Sequence, residues 1–152
     1  MATARSAIVA SSVSPDLWDL LKYDSIHGTI TNKISVANNN IIIDESSIKY
    51  FSERDPLSLP WNELEVDLVL ECTGIFTSKD KAYSHIEAGA KKVIISAPAQ
   101  DPDKTVVYGV NHLDLSDEDK IISNASCTTN CLAPLAKVIH DKYEINTGLV
   151  NT

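Results

Sequence analysis

Two short, almost unbroken apolar runs constrain this chain most: Val66-Asp67-Leu68-Val69-Leu70-Glu71-Cys72 and Lys92-Val93-Ile94-Ile95-Ser96. Strands that are apolar on both faces belong to parallel sheets, which helices cover from both sides. Between the runs, Ser78 to Ala88 reads as a helix, and Gly89 is placed to stop it in a left-handed cap before the next strand begins. Strand, helix and strand in this order predict an α/β domain with a largely parallel sheet.

The rest of the chain fits that frame. Further strands are expected at Lys33 to Ala37, Asn40 to Ile43, Ile48 to Phe51, Thr105 to Tyr108 and Lys120 to Ser123, besides Asp67 to Cys72 and Lys92 to Ser96. Asn38-Asn39-Asn40 reads as a hairpin turn, because Asn tolerates positive φ. Helices are expected at Pro15 to Tyr23 and Cys127 to Tyr143 as well. At the N-terminus, Ala7 to Ala10 reads as a strand entering a polar turn, since MATARSAIVASSVS holds one Arg and too short an apolar run for a targeting peptide.

Composition excludes several function classes. A net charge of −8 with 13 scattered basic residues opposes binding to a phosphate backbone, so no nucleic-acid partner is expected. The apolar runs fall far short of the roughly 18 to 20 residues a membrane span needs. Three cysteines, Cys72, Cys127 and Cys131, are an odd number in a chain of 152 residues and favour a reducing, cytoplasmic setting. Cys127-x-x-x-Cys131 lacks a second ligand pair at short spacing, so no metal is expected.

In open parallel sheets, ligands sit at the carboxyl ends of strands. Three such ends are small and polar here: Glu71-Cys72-Thr73-Gly74, Ser96-Ala97-Pro98-Ala99 and Ser123-Asn124-Ala125-Ser126-Cys127. Together they point to one crevice, although Thr73-Gly74 and Ser96-Ala97-Pro98, each taken alone, read first as an ordinary turn and strand exit. Arg54, in Glu53-Arg54-Asp55-Pro56, reads alone as a solvated surface residue. The dispersed His27, His85, His112 and His140 read as solvent-facing or hydrogen-bonded rather than catalytic.

Cys127 opens a predicted helix, where unsatisfied N–H groups and the positive end of the macrodipole favour a thiolate over a thiol. The hydroxyls of Ser126, Thr128 and Thr129 could help to hold an oxyanion or a phosphate there. Leu132, Leu135, Ala136 and Ile139 recur at helical spacing, which places Cys131 on or near a buried side. Pro134 is comfortable only in a first turn, so regular helix is expected to begin near Cys131 or to kink at Pro134. On this reasoning a reactive Cys127 and an inert one both remain open.

The segment Ser123-Asn124-Ala125-Ser126-Cys127-Thr128-Thr129-Asn130-Cys131-Leu132-Ala133-Pro134 resembles the active-site segment of phosphorylating glyceraldehyde-3-phosphate dehydrogenases. Leu21 to Gly28, Glu53 to Pro56, Glu71 to Phe76 and Ala88 to Ala99 agree in order along the chain, so the resemblance covers about residues 17 to 152. It implies that Cys127 is the nucleophile attacking the aldehyde of glyceraldehyde 3-phosphate, and that Ser126, Cys127 and Thr128 contact substrate or inorganic phosphate. Arg54, Thr73, Gly74 and Ser96 then line a crevice for NAD, with NADP not excluded. A homotetramer is implied for the family, though not expected of these residues alone.

The departures are equally specific. The five glycines, Gly28, Gly74, Gly89, Gly109 and Gly148, are too far apart to form G-x-G-x-x-G. Ser11 and Ser12 stand where an acidic residue for the adenosine ribose is expected. The expectation is therefore a partial Rossmann-like domain over residues 1–126, lacking the first strand and glycine-rich loop, followed over 127–152 by the active-site helix and the start of a truncated catalytic domain. A non-catalytic nucleotide-binding or interaction fragment, and a thiol redox sensor using Cys127 and Cys131, are the rival readings.

Overall fold

The computed structural model describes residues 7–10, 22–26 and 28–152, and the chain divides after Val66 into two compact units. The first holds β1 (Ala7–Ala10), β2 (Tyr23–Asp24), β3 (Gly28–Thr29), β4 (Ile34–Ala37), β5 (Asn40–Ile43) and β6 (Ser46–Ser52). Its main sheet runs β1-β6-β5-β4, with β1 parallel to β6 and the other pairs antiparallel. The turn between β4 and β5 forms as Asn chemistry predicts: Asn38 and Asn39 have φ of 51° and 58°, the sign a two-residue hairpin requires at both central positions. Ile41, Leu59, Trp61 and Val66 are buried, and Phe51 meets Trp61 edge to face at 6.4 Å.

The helix expected from Pro15 to Tyr23 lies, up to Leu21, outside the described residues. Its last residue is a correction, because Tyr23 pairs with Thr29 across the small antiparallel ribbon of β2 and β3. His27 also lies outside the described residues.

The second unit is the α/β layer that the apolar runs predict. It holds β7 (Leu68–Glu71), α1 (Lys79–Glu87), β8 (Lys92–Ile95), β9 (Lys104–Thr105), β10 (Ile121–Ser123) and α2 (Cys127–Tyr143). Every pair in the order β7-β8-β10-β9 is parallel. Gly89 ends α1 with φ of 112°. Its N–H donates to Ile86 O and the Ala90 N–H to His85 O, so two terminal carbonyls of the helix are satisfied. Val69, Ala82, Val93, Ile95, Ile121 and Ile122 are buried in this unit.

Three expectations change here. Leu68 and Leu70 are exposed while Val69 and Glu71 are buried, so β7 is covered on one face only, the face from which Glu71 meets His85 of α1. The strand expected over Thr105 to Tyr108 stops at Thr105; the Asn111 side chain accepts the Val107 N–H at 2.8 Å and draws the chain into a turn. Helix α2 is regular from Cys127 with Pro134 inside it, and none of its residues is buried. Cys131 is accordingly exposed rather than on a buried side. The apolar spacing of Leu132, Leu135 and Ile139 is real, but among the described residues nothing buries it.

Candidate active site

The three polar strand exits lie side by side. Because β7, β8 and β10 run parallel, their carboxyl ends share one edge of the sheet, and backbone bonds join them beyond the last paired residues. The Ser96 N–H donates to Glu71 O at 3.0 Å, and the Asn124 N–H to Ile95 O at 2.9 Å. Ser123, fully buried, donates its hydroxyl to Ala97 O at 2.8 Å and accepts the Ala125 N–H at 3.1 Å, fastening the third exit to the second.

At the first exit the loop is built on a buried carboxylate. Glu71 is 4% exposed. One of its oxygens accepts the Thr73 N–H at 2.7 Å and the Thr73 hydroxyl, and the other lies 3.1 Å from His85 Nε2. Thr73 Oγ1 in turn accepts the Ile75 N–H at 3.1 Å. Gly74, between them, has φ of 74° and nothing within 4 Å of the position a Cβ would take. Glycine therefore supplies a backbone sign that other residues adopt only with strain, beside open space.

At the third exit Ala125 has φ of 60° although its methyl is buried, a conformation costing an L-residue roughly 1 to 2 kcal/mol. The chain then enters α2. Ser126 caps the helix: its Oγ accepts the Thr129 N–H at 3.0 Å and shares a hydrogen bond with Thr129 Oγ1 at 2.7 Å. Asn130 holds the entry from inside, donating its side-chain amide to Asn124 O at 2.6 Å and Ser126 O at 2.9 Å. The N–H groups of Cys127 and Thr128 belong to the first turn, where no intrahelical acceptor exists. The Cys127 thiol is exposed at that end.

Thr73, Gly74, Ser96, Ser126, Cys127 and Thr128 thus all stand on adjacent exits of one sheet. Arg54 belongs to the other unit, where it is exposed and donates its backbone N–H to Glu53 Oε1 at 2.7 Å. The described histidines are engaged: His85 with Glu71, His112 Nδ1 with the Gly109 N–H at 3.0 Å, and His140 Nδ1 with the Ile145 N–H at 3.2 Å. Sequence reasoning named the motifs but missed the supports, Glu71 with His85, Ser123 and Asn130. A charged residue inside an apolar strand run was the one available signal for Glu71. Among the described residues no three His, Cys, Asp or Glu side chains are grouped to hold a metal, and no helix is long and apolar enough to cross a membrane.

Two carboxylates held below their ordinary pKa make stability pH-dependent. Burial raises the pKa of Glu71, but hydrogen bonds from His85 and Thr73 outweigh it and hold the group below its ordinary 4.5. Asp103, opposed in the same way by burial, is lowered by Lys79 and by the N–H groups of Ile121 and Lys120. A carboxyl depressed in the folded state contributes stability that is whole above its unfolded pKa and is lost as pH falls through the folded one. Denaturant midpoints should therefore hold steady from neutrality to about pH 5 and drop below about pH 4. A midpoint that rises on acidification would contradict this sign.

A parallel sheet with joined polar exits, and a capped helix presenting a cysteine at the last of them, defines a partial Rossmann-like α/β fold. Comparison with known proteins makes this particular. Residues 6–79 match the family model described as glyceraldehyde 3-phosphate dehydrogenase, NAD binding domain, and residues 126–152 match that family's C-terminal domain. The glyceraldehyde-3-phosphate dehydrogenase of Zymomonas mobilis is 56% identical over 134 residues, 88% of this chain and 40% of the relative. The Clostridium pasteurianum enzyme of that name is 52% identical over 136 residues, 90% of this chain and 41% of the relative. The chain belongs to the glyceraldehyde-3-phosphate dehydrogenase family, and it spans about 40% of the length of the curated relatives it matches.

Proposed function

We propose that this chain carries the nucleophile and part of the cofactor crevice of an enzyme that oxidises glyceraldehyde 3-phosphate with NAD and inorganic phosphate. The observation that carries this reading is Cys127, exposed in the first turn of a Ser126-capped helix on the same sheet edge as Thr73, Gly74 and Ser96. Cys127 Sγ bonds to the aldehyde carbon, and the proton ends on the former carbonyl oxygen. The Cys127 N–H stabilises that oxygen while it is negative. NAD, when bound, would accept the hydride from the thiohemiacetal carbon; the hydroxyl proton leaves to solvent, and a thioester on Cys127 results. Cys127 holds the acyl group until phosphate displaces Sγ, with Ser126 and Thr128 at hand to orient the phosphate. The product is 1,3-bisphosphoglycerate, the setting is cytoplasmic, and the homotetramer belongs to the family's full-length proteins.

The open space beside Gly74 and the neighbouring Thr73 and Ser96 leave room for a nucleotide at the first two exits. No closely spaced glycines form a pyrophosphate cradle. Calorimetric titration of the 152-residue chain with NAD should show weak binding, in the millimolar range (roughly −4 kcal/mol). A micromolar or tighter dissociation constant would show that a cradle exists after all.

The nucleophile assignment is tested by alkylation. All three cysteines are exposed and free, so access alone does not rank them. Only Cys127 sits at a helix N-terminus, and iodoacetamide should modify it fastest at neutral pH. Mass-spectrometric rates on the folded protein measure this, and three equal rates would remove Cys127 from the role.

A further inference from the structure

We infer that the buried Glu71–His85 pair is the positioning element of the cofactor crevice, holding the Thr73–Ile75 loop in its ligand-ready shape; this rests on the nucleotide-crevice reading above. The pair is 4% and 5% exposed, yet it serves no step of the proposed chemistry. Burying a carboxylate and an imidazole together is costly unless their hydrogen-bonding capacity is used. Here it is used in one direction. An ionised carboxylate only accepts, so His85 Nε2 carries the hydrogen directed at Glu71 Oε2, and Oε1 is left to receive both the N–H and the hydroxyl of Thr73.

The chain of contacts continues outward. With its hydrogen committed to Glu71, Thr73 Oγ1 accepts from the Ile75 N–H, so its orientation is fixed from below. Gly74 is thereby held between two anchored residues at φ of 74°, a geometry its own lack of a side chain permits but does not enforce. His85 comes from α1, where Phe76 also meets its ring at 6.0 Å, so the helix and the far end of the loop grip the same imidazole. The fold thus carries rigidity from a helix through a buried charge to an exposed loop that would otherwise have little to order it.

The test is residue-resolved amide exchange and NAD titration by NMR on the 152-residue chain. Glu71→Leu removes the acceptor; Glu71→Gln keeps one oxygen for Thr73 and can turn its NH₂ to His85. Exchange at Thr73 and Ile75 should quicken about tenfold in Glu71→Leu and stay within about twofold of the parent in Glu71→Gln. NAD-induced shifts at Thr73 and Gly74 should weaken in parallel, with the amides of Val93 and Ile121 unmoved. Thr73→Val, at an exposed position, should quicken Ile75 alone and keeps the test available if Glu71→Leu fails to fold. Unchanged exchange at Ile75 in Thr73→Val, or at both sites in a folded Glu71→Leu, overturns the positioning role whatever NAD does. Loop ordering as expected, with no NAD response in the parent chain, overturns the crevice reading and with it the ligand this loop is said to serve.

Discussion

Ile121→Ala lowers the stability of this chain by about 2 to 5 kcal/mol. Ile121 is wholly buried on β10, between Val93 of β8 and the start of β9, and it is among the largest fully buried side chains. Truncating it removes apolar area from the core and leaves a cavity that strands held on both sides cannot close. Against a typical stability of roughly 5 to 15 kcal/mol, that loss is a large fraction. The consequence reaches the site, because β10 delivers Ser123 and, three residues later, the cap of α2. Leu70→Ala is the matched control: Leu70 lies on the same sheet but is 65% exposed, so its loss should cost no more than about 0.5 kcal/mol. Urea midpoints at unchanged slope compare the two. Equal costs would mean that the sheet has no preferred buried face.

That contrast shows what the sequence could and could not disclose. Period and turn chemistry located the hairpin at Asn38-Asn39 and the cap at Gly89, because each depends on residues adjacent in the chain. Near-continuous apolarity in Val66 to Cys72 correctly marked a parallel strand, yet it predicted cover on both faces. Cover depends on which elements lie nearby, and Leu68, Leu70 and the stripe of α2 have none among the described residues. The same limit hid Cys131, whose spacing is that of a buried helix face. The motif that carries Cys127 was plain in twelve residues, whereas its supports were not. Asn130 acts by reaching back to Asn124 and Ser126, and Glu71 by meeting a histidine 14 positions away. Propensity has no way to register such partners.

Cys127→Ser should abolish phosphate-dependent NADH formation, by about 10⁴-fold or more, in a chain extended to the length of the curated relatives. The change is one atom, and the hydroxyl fits where the thiol did, so Ser126, Asn130 and the helix entry keep their hydrogen bonds. What is lost is nucleophilicity near neutral pH. A thiol is already a few per cent thiolate there and attacks carbonyl carbon well, while a hydroxyl requires a base to act at all. A serine that did attack would also form an ester in place of the thioester, and phosphate displaces an alkoxide far less readily than a thiolate. Cys72→Ser and Cys131→Ser bracket the result. Both thiols are exposed, and Cys131 sits one turn along the same helix, so a redox mechanism using the Cys127–Cys131 couple requires Cys131 as much as Cys127. The acyl-transfer mechanism instead predicts activity within about threefold of the parent for both variants. Turnover surviving in Cys127→Ser would end the nucleophile assignment, and turnover lost equally in Cys131→Ser would hand the site to thiol redox chemistry.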